Sequence, residues 1–448
     1  MLEDFISKYK KIFFEDFEFF FESLKKTNRK YFRVNTARNI DYLSEFENIS
    51  LIKKVDGFEA YEYNESKMDI SSSLGFLTGG LYIQNISSLF PPRILFEHIK
   101  HLKNPIILDL CAAPGGKTTY ISELLKRSGL IIANEISSKR LKALNFNITK
   151  FGSYNVKTVS IDGRIADKKL PPIFDAILLD APCSNENKIL KNDTVKSFWS
   201  EEFIKNMQSI QKDLIRSAFS LLKPGGFLAY STCTFSLEEN EELIEGFLAE
   251  NTDAILVDIN GGVYPEGLSG NREIDKKVIR VLPHIMEFDG FFIALIQKQG
   301  CITENEQIKS NEKFKEDIDI FDNNFIKNIP LQIKNNKVYI NPLLQLGNNL
   351  CDKIRFQNTD FLLGQFIKDF VISTEASWEF GAKVKNKYRL QISYQESVEY
   401  LNGYDINFYP DIIKEGILYY KNIPVGPFKV VDKRIKNKLS RYFIYNRV

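Results

Sequence analysis

Two cysteines sit in short polar segments, Leu179-Asp-Ala-Pro-Cys183-Ser and Tyr230-Ser-Thr-Cys233-Thr, each at the end of an apolar run that reads as a strand. A thiolate placed there is a nucleophile that can add to an electron-poor carbon and later leave, dividing one difficult step into two. The competing reading makes each cysteine a small buried hydrophobe, the commonest fate of a free thiol. Two of them in polar turns after strands count against it. A further apolar run ends in Asp109-Leu-Cys-Ala-Ala-Pro-Gly-Gly-Lys-Thr-Thr119. Its Gly116-Lys117-Thr118 looks like the close of a P-loop, but that motif requires glycine where Cys111 stands, so no nucleoside-triphosphate site is expected. A Gly-rich turn at the end of a first strand suits a nucleotide-like cofactor instead, because the backbone approaches closely and the next helix offers free N–H groups. Glu135 ends the next run about 20 residues on, placed to accept from ribose hydroxyls, and Asp162 ends the third, in reach of an adenine edge.

Those positions need a scaffold that gathers strand ends. Short apolar runs at 106–110, 130–133, 156–161, 174–179 and 227–230 alternate with helical stretches, and 255–257 and 291–296 complete the set. One helix opens after Ser137 and closes at Gly152; another covers about 201–222 and stops at Lys223-Pro-Gly-Gly. Ser236-Leu-Glu-Glu239 reads as a capping box for the helix after it. This alternation predicts a doubly wound, mostly parallel α/β sheet over 96–300. Residues 1–95 are mixed: an aromatic helical opening from Phe5 to Phe21, a strand-like Tyr31-Phe-Arg-Val-Asn-Thr-Ala, and a Gly79-Gly80 turn before Leu81-Tyr-Ile-Gln-Asn-Ile-Ser-Ser. A charged, Asn-rich linker is expected over 301–328. The rest, 329–448, carries β-like segments such as Lys337-Val-Tyr-Ile and Gly416-Ile-Leu-Tyr-Tyr, and reads as a small separate α+β or β-rich domain.

Composition agrees with several units: at about 150 residues each, 448 residues make roughly three. A 44% hydrophobic and 26% charged chain is an ordinary globular protein. Its apolar runs fall far short of the ~18 residues of a membrane span. The start, Met1-Leu-Glu-Asp-Phe, is acidic rather than signal-like, and five cysteines at least 50 residues apart fit a reducing cytoplasm. Without a Cys-x-x-Cys pair, and with only His98, His101 and His284, no metal site is expected. Net charge is +2. Locally, Lys25, Lys26, Arg29, Lys30 and Arg33 cluster, and residues 421–448 hold eight Lys/Arg against Asp432 alone. Two basic ends suit a phosphate backbone.

Cytosine offers a use for the thiolate. Its carbon 5 is a poor nucleophile until sulfur adds at carbon 6, after which carbon 5 is enamine-like and can attack a sulfonium methyl group. Asp109-Leu-Cys-Ala-Ala-Pro-Gly-Gly-Lys-Thr, Asp180-Ala-Pro-Cys-Ser, and Tyr230-Ser-Thr-Cys-Thr with Glu239-Asn-Glu241 resemble the Sun family of RNA (cytosine-5)-methyltransferases. Arg33-Val-Asn-Thr, Tyr82-Ile-Gln-Asn-Ile-Ser-Ser, Arg280-Val-Leu-Pro-His and Asp289-Gly-Phe-Phe-Ile-Ala extend the likeness. Ile423-Pro-Val-Gly-Pro-Phe-Lys and Ile435-Lys-Asn are similar to the C-terminal RNA-binding domain of the RsmF-like small-subunit rRNA subgroup.

The resemblance implies a Rossmann-like methyltransferase sheet, an N-terminal α+β RNA-binding region, a PUA-like C-terminal domain, and S-adenosylmethionine as cofactor. By position it makes Cys233 the nucleophile and Cys183 the residue that assists product release. Cys111, Ala112, Ala113, Pro114, Gly115, Gly116 and Lys117 would form the cofactor loop. Glu135 would hold the ribose, Asp162 would meet the adenine, and Asp180 would sit between cofactor and base, where it could hydrogen-bond the ring. Family members continue Pro-Cys-Ser-Gly-x-Gly; here Asn185 and Asn187 replace the glycines. The implied partner is RNA, rRNA ahead of tRNA, with no membrane and no metal. The same chemistry on tRNA, or a non-catalytic RNA-binding assembly factor on the same fold, are the alternatives.

Overall fold

The computed structural model describes residues 2–26, 29–302, 318–321, 323–326, 329–345, 354–358, 360–407 and 413–444. Cys351, Arg447 and most of the 301–328 segment lie outside the described residues. The opening aromatic stretch forms helices Leu2–Phe13 and Phe17–Lys25. Phe5, Tyr9, Phe13, Phe17, Phe20 and Leu24 fall on one buried stripe and pack on Trp199, Phe235 and Leu282. Next come β1 (Lys30–Val34), β2 (Ile52–Lys54), β3 (Ala60–Tyr63) and β4 (Leu81–Ile83), an antiparallel sheet in the order β2-β3-β1-β4.

The central sheet holds β5 (Ile106–Asp109), β6 (Leu130–Asn134), β7 (Val156–Val159), β8 (Phe174–Asp180), β9 (Leu222–Thr232), β10 (Ala254–Val257), β11 (Ile279–Val281) and β12 (Phe291–Lys298). Its order is β10-β12-β9-β8-β5-β6-β7, with β11 paired to β12. Strands β5 to β9 are parallel to one another, while β12 pairs antiparallel with β9, β10 and β11. This is the expected doubly wound, mostly parallel fold. Near-continuous Ile, Leu and Ala in β5, β6 and β8 are buried on both faces, as a sheet covered by helices requires. From β5 the strands are added outward to one side as β6 and β7 and to the other as β8 and β9, so the crevice lies at this switch point, beyond Asp109 and Asp180. Ser137 caps the helix Ser138–Lys150, and Gly152, at φ +66°, closes it as Gly152 N and Ser153 N donate to the Thr149 and Ile148 carbonyls.

Two local expectations need correction. Lys223-Pro-Gly-Gly does not separate helix from strand: β9 leaves the helix Glu201–Leu221 directly and absorbs the glycines at a register shift opposite Phe174 and Ala176. Ser236-Leu-Glu-Glu239 is only half a capping box. The Ser236 hydroxyl accepts from Glu239 N at 3.3 Å, but the helix starts later, at Glu241, and the Glu239 carboxylate turns to the Cys183 loop.

Beyond the central sheet, β13 (Leu331–Lys334), β14 (Lys337–Ile340), β15 (Phe361–Phe366) and β16 (Phe370–Ile372) form one antiparallel sheet. A second contains β17 (Arg389–Gln391), β18 (Ile406–Asn407), β19 (Glu415–Tyr420), β20 (Ile423–Val431) and β21 (Arg434–Asn437), ordered β17-β19-β20-β21-β18. Ile318, Ile320 and Phe321, inside the stretch read as linker, are buried in this region's core. Phe32 and Tyr42 share a core with Trp378, Tyr400 and Ile423, so the two ends of the chain pack together. Among the described residues no helix is long and apolar enough to cross a membrane.

Candidate active site

The Gly-rich turn follows β5 and leads into the helix Gly116–Leu124. Gly115 N donates to Ala112 O at 2.8 Å, and Gly115 sits at φ +106°, a conformation that a side chain rarely adopts. The turn is fixed from outside: Arg140 donates to Ala113 O at 2.6 Å and Asn147 to Pro114 O at 2.8 Å. Asn134, at the end of β6, donates to Leu110 O and Ile161 O and accepts from Ile161 N, tying three strand ends together. Beside it Glu135 is buried, accepts from Ser137 N at 2.8 Å and lies 3.3 Å from Arg140. Asp162 caps the turn after β7; hydrogen bonds from Arg164 hold its carboxyl below the usual range. Asp109 accepts from the Thr118 hydroxyl at 2.7 Å while its Oδ1 is buried without a partner, and burial pushes its pKa up to about 7. Burial also pushes the Cys111 thiol up.

The cysteines meet because their strands are neighbours. Asp180 on β8 is in register with Ser231 on β9, so Cys183 and Cys233 leave adjacent strand ends a few residues later. Their sulfur atoms are 3.4 Å apart. The Cys183 thiol is raised well above the usual value, first by its hydrogen bond with Cys233 and then by burial. Cys233 Sγ donates to Asn185 Oδ1 at 3.2 Å. Lys117 Nζ donates to Asp180 Oδ2 at 2.6 Å and lies 5.2 Å from the centre of the Phe291 ring, while the Ser231 hydroxyl donates to Asp180 Oδ1 at 3.0 Å. Asp180 therefore joins the Gly-rich loop to the cysteine edge. Asn185 takes the left-handed conformation at φ +56°, one that Asn tolerates, and Asn187 is buried and accepts from Gly290 N at 2.8 Å. Both replacements for glycine have work in this loop.

Sequence reasoning missed two buried carboxylates. Glu186 accepts from Thr234 Oγ1 (2.7 Å), Phe235 N (3.0 Å), Trp199 Nε1 (2.6 Å) and Tyr9 OH (2.5 Å). Glu239 accepts from Ser184 N (3.0 Å), Ser184 Oγ (2.5 Å) and Gln211 Nε2 (2.8 Å), and burial raises its pKa to about 7. In Glu239-Asn-Glu241 the other two members are also engaged. Asn240 accepts from Thr232 Oγ1 and donates to Thr234 O, and Glu241 pairs with buried Arg280. A charged triplet next to a Thr-Cys segment was the available signal; its local capping pattern hid it.

Of the N-terminal basic cluster only Arg33 turns into the protein, while Lys25, Lys26, Arg29 and Lys30 stay exposed. Arg33 is buried, paired with Glu123 and packed on the Tyr82 and Tyr120 rings. Arg29 pairs with Glu62 and Glu287, Lys30 with Glu65 and Lys25 with Glu22. Arg33 faces inward because it lies mid-strand in β1, against the helix that carries Glu123. At the other end Lys433, Arg434 and Lys438 are exposed and form no ion pair among the described residues.

Residues 98–297 match the family described as 16S rRNA methyltransferase RsmB/F. Proteins named ribosomal RNA small subunit methyltransferase F from Shewanella loihica and Aliivibrio salmonicida are 31% and 30% identical to this chain. Those matches cover 85% and 95% of this chain and 82% and 93% of the relatives. Among solved structures, a methyltransferase homolog protein from Pyrococcus horikoshii is 32% identical with a TM-score of 0.55, covering 65% of this chain and 93% of that one. NSun6 from Pyrococcus horikoshii with SFG, 24% identical with a TM-score of 0.57, covers 65% of this chain and 97% of its own and shares the fold. The family match spans the Gly-rich loop and both cysteine segments, and the full-length relatives carry it into the flanking regions: the chain belongs to the RsmB/F family of 16S rRNA methyltransferases.

Proposed function

We propose that this protein is a cytoplasmic enzyme that transfers a methyl group from S-adenosylmethionine to carbon 5 of a cytosine in small-subunit rRNA, through a bond between Cys233 and carbon 6. The observation that carries this reading is the contact of two sulfurs, 3.4 Å apart, beside the Lys117–Asp180 pair. The residues present fit the cofactor. Buried Glu135 would take the ribose hydroxyls, Asp162 the adenine, and Cys111 to Lys117 the backbone cradle; Asp109 Oδ1, buried without a partner, leaves an acceptor for an ammonium group. S-adenosylmethionine supplies an electrophilic methyl group when bound.

The chain's own residues do the rest. Cys233 adds to carbon 6, and carbon 5 becomes nucleophilic enough to take the methyl group. Loss of the carbon-5 proton to a base and departure of the Cys233 sulfur restore the ring. Cys183 keeps its proton against Cys233 Sγ, where a donor can accompany the sulfur as it leaves. Asp180, held by Lys117 and Ser231, borders both cofactor and base. The base must leave its stack to enter the crevice, which costs least in single-stranded or loop RNA. Residues 329–448 grip phosphates through Lys433, Arg434 and Lys438, which are exposed and form no ion pair among the described residues.

Cys233→Ala is expected to abolish methyl transfer and leave cofactor binding, measured by calorimetry, intact; retained turnover removes Cys233 as nucleophile. Cys183→Ala should accumulate an RNA–protein adduct that survives denaturation, and no adduct on an active substrate counts against its role in release. Bisulfite mapping of RNA from cells lacking the protein should lose one protected cytosine in 16S rRNA; loss in tRNA alone would move the substrate.

A further inference from the structure

We infer that Glu186 and Glu239 are positioning residues that set the distance between the two sulfurs, and that Tyr9 ties the N-terminal helices into the same device. The inference rests on reading Cys183 and Cys233 as the reacting pair.

The two contacts run in opposite directions. Glu186 belongs to the Cys183 loop, three residues past the sulfur, and binds Thr234 Oγ1 and Phe235 N, which directly follow Cys233. Glu239 belongs to the Cys233 loop and binds Ser184 N and Ser184 Oγ, which directly follow Cys183. Each loop thus lends a carboxylate to the other, and neither loop can shift without breaking bonds at the other's cysteine. Gln211 closes the frame from behind by donating to both Glu239 and Pro182 O, at 2.8 Å each. Both carboxylates are fully buried. Burying two acids so close together is expensive, and apolar residues would often stabilise the same contact as well. Directional bonds to the residues beside each cysteine are what apolar contacts cannot supply.

Tyr9 adds a remote anchor. Its hydroxyl donates to Glu186 Oε2 from a helix 177 residues away in sequence, and the neighbouring Lys8 bonds Glu238 at 2.8 Å. The N-terminal hairpin therefore buttresses the cysteine loops rather than serving only as an appendage for RNA.

The test uses full-length Glu186→Gln, Glu239→Gln and Tyr9→Phe, with two readouts. The first is kcat and KM, normalised to the folded fraction. The second is closure of a Cys183–Cys233 disulfide by diamide, which takes up both thiol hydrogens as the S–S bond forms, followed by peptide mapping. Since misplacement by about 1 Å can cost about 100-fold, the Gln variants should lose about 10- to 100-fold in kcat with KM for RNA within about twofold of wild type. Disulfide closure should slow in parallel. Tyr9→Phe removes one donor at nearly constant volume and should slow closure by about tenfold, the lower end of what a hydrogen bond to a charged group is worth. It carries the test if the Gln variants do not fold. Wild-type closure rates in folded Gln variants, or in Tyr9→Phe when it is the only folded one, overturn the inference. Diamide closure needs no catalysis, so slowed closure alongside an active Cys233→Ala would fault the reaction assignment and spare the frame.

Discussion

A carboxyl group at the floor of the Gly-rich loop behaves unlike one in water. Burial pushes Asp109 up to about 7, while the same group in the unfolded chain titrates near its ordinary value. The native state therefore holds a proton between about pH 4 and 7 that the unfolded state has lost. The stability Asp109 contributes is fully present below its unfolded pKa and is lost as pH rises through about 7. Urea melts at pH 5 and pH 8 should show a smaller difference for Asp109→Asn than for the wild type. An unchanged difference would mean that Asp109 is ionised in the native protein throughout. The same scale explains the two asparagines near Cys183. Asn185 fits because its short side chain tolerates a positive φ and reaches Cys233 Sγ; Asn187 fits because its carbonyl oxygen receives Gly290 N.

At the scale of elements, the β20–β21 hairpin turns on Asp432 and Lys433, both at positive φ, between paired Val431 and Arg434. Such a two-residue turn matches the twist of its strands and lifts Lys433 to the tip, beside Arg434. This ribbon is a compact cationic edge. Replacing Lys433, Arg434 and Lys438 together with alanine should weaken RNA binding and flatten the dependence of log K on log salt by about two to three in slope, near 0.7–0.9 per lost phosphate contact. Filter binding from low to moderate salt measures it. An unchanged slope would move the phosphate grip elsewhere.

At the scale of the molecule, Glu379 is where three regions meet. It lies on the helix Thr374–Phe380 and receives Arg38 from the N-terminal region at 2.8 Å and Arg127 from the loop after the helix Gly116–Leu124 at 3.1 Å. All three side chains are buried, and Arg38 also donates to Thr78 O and Lys150 O. Removing one member of a buried pair leaves an uncompensated charge, at about 3–5 kcal/mol. Glu379→Ala should lose about that much stability and split thermal unfolding into separate transitions as the terminal regions uncouple from the sheet. A single transition at the wild-type midpoint would show that the apolar contacts of Phe32 and Tyr42 with Trp378 suffice.

Much of the site was legible without coordinates because it is written in local signals. A short apolar run, a Gly-rich turn and a helix start each need only neighbouring residues. The positions of Asp109, Glu135, Asp162, Asp180, Cys183 and Cys233 at strand ends therefore follow from period and turn chemistry alone. What the chain could not declare is which strand end faces which. The 3.4 Å contact between cysteines 50 residues apart depends on β8 pairing with β9. Tertiary packing likewise turned Arg33 inward and took the Glu239 carboxylate away from its own backbone, because a buried charge goes to whatever partner the fold brings within reach. Local periodicity made the parts; only long-range pairing decided their partners.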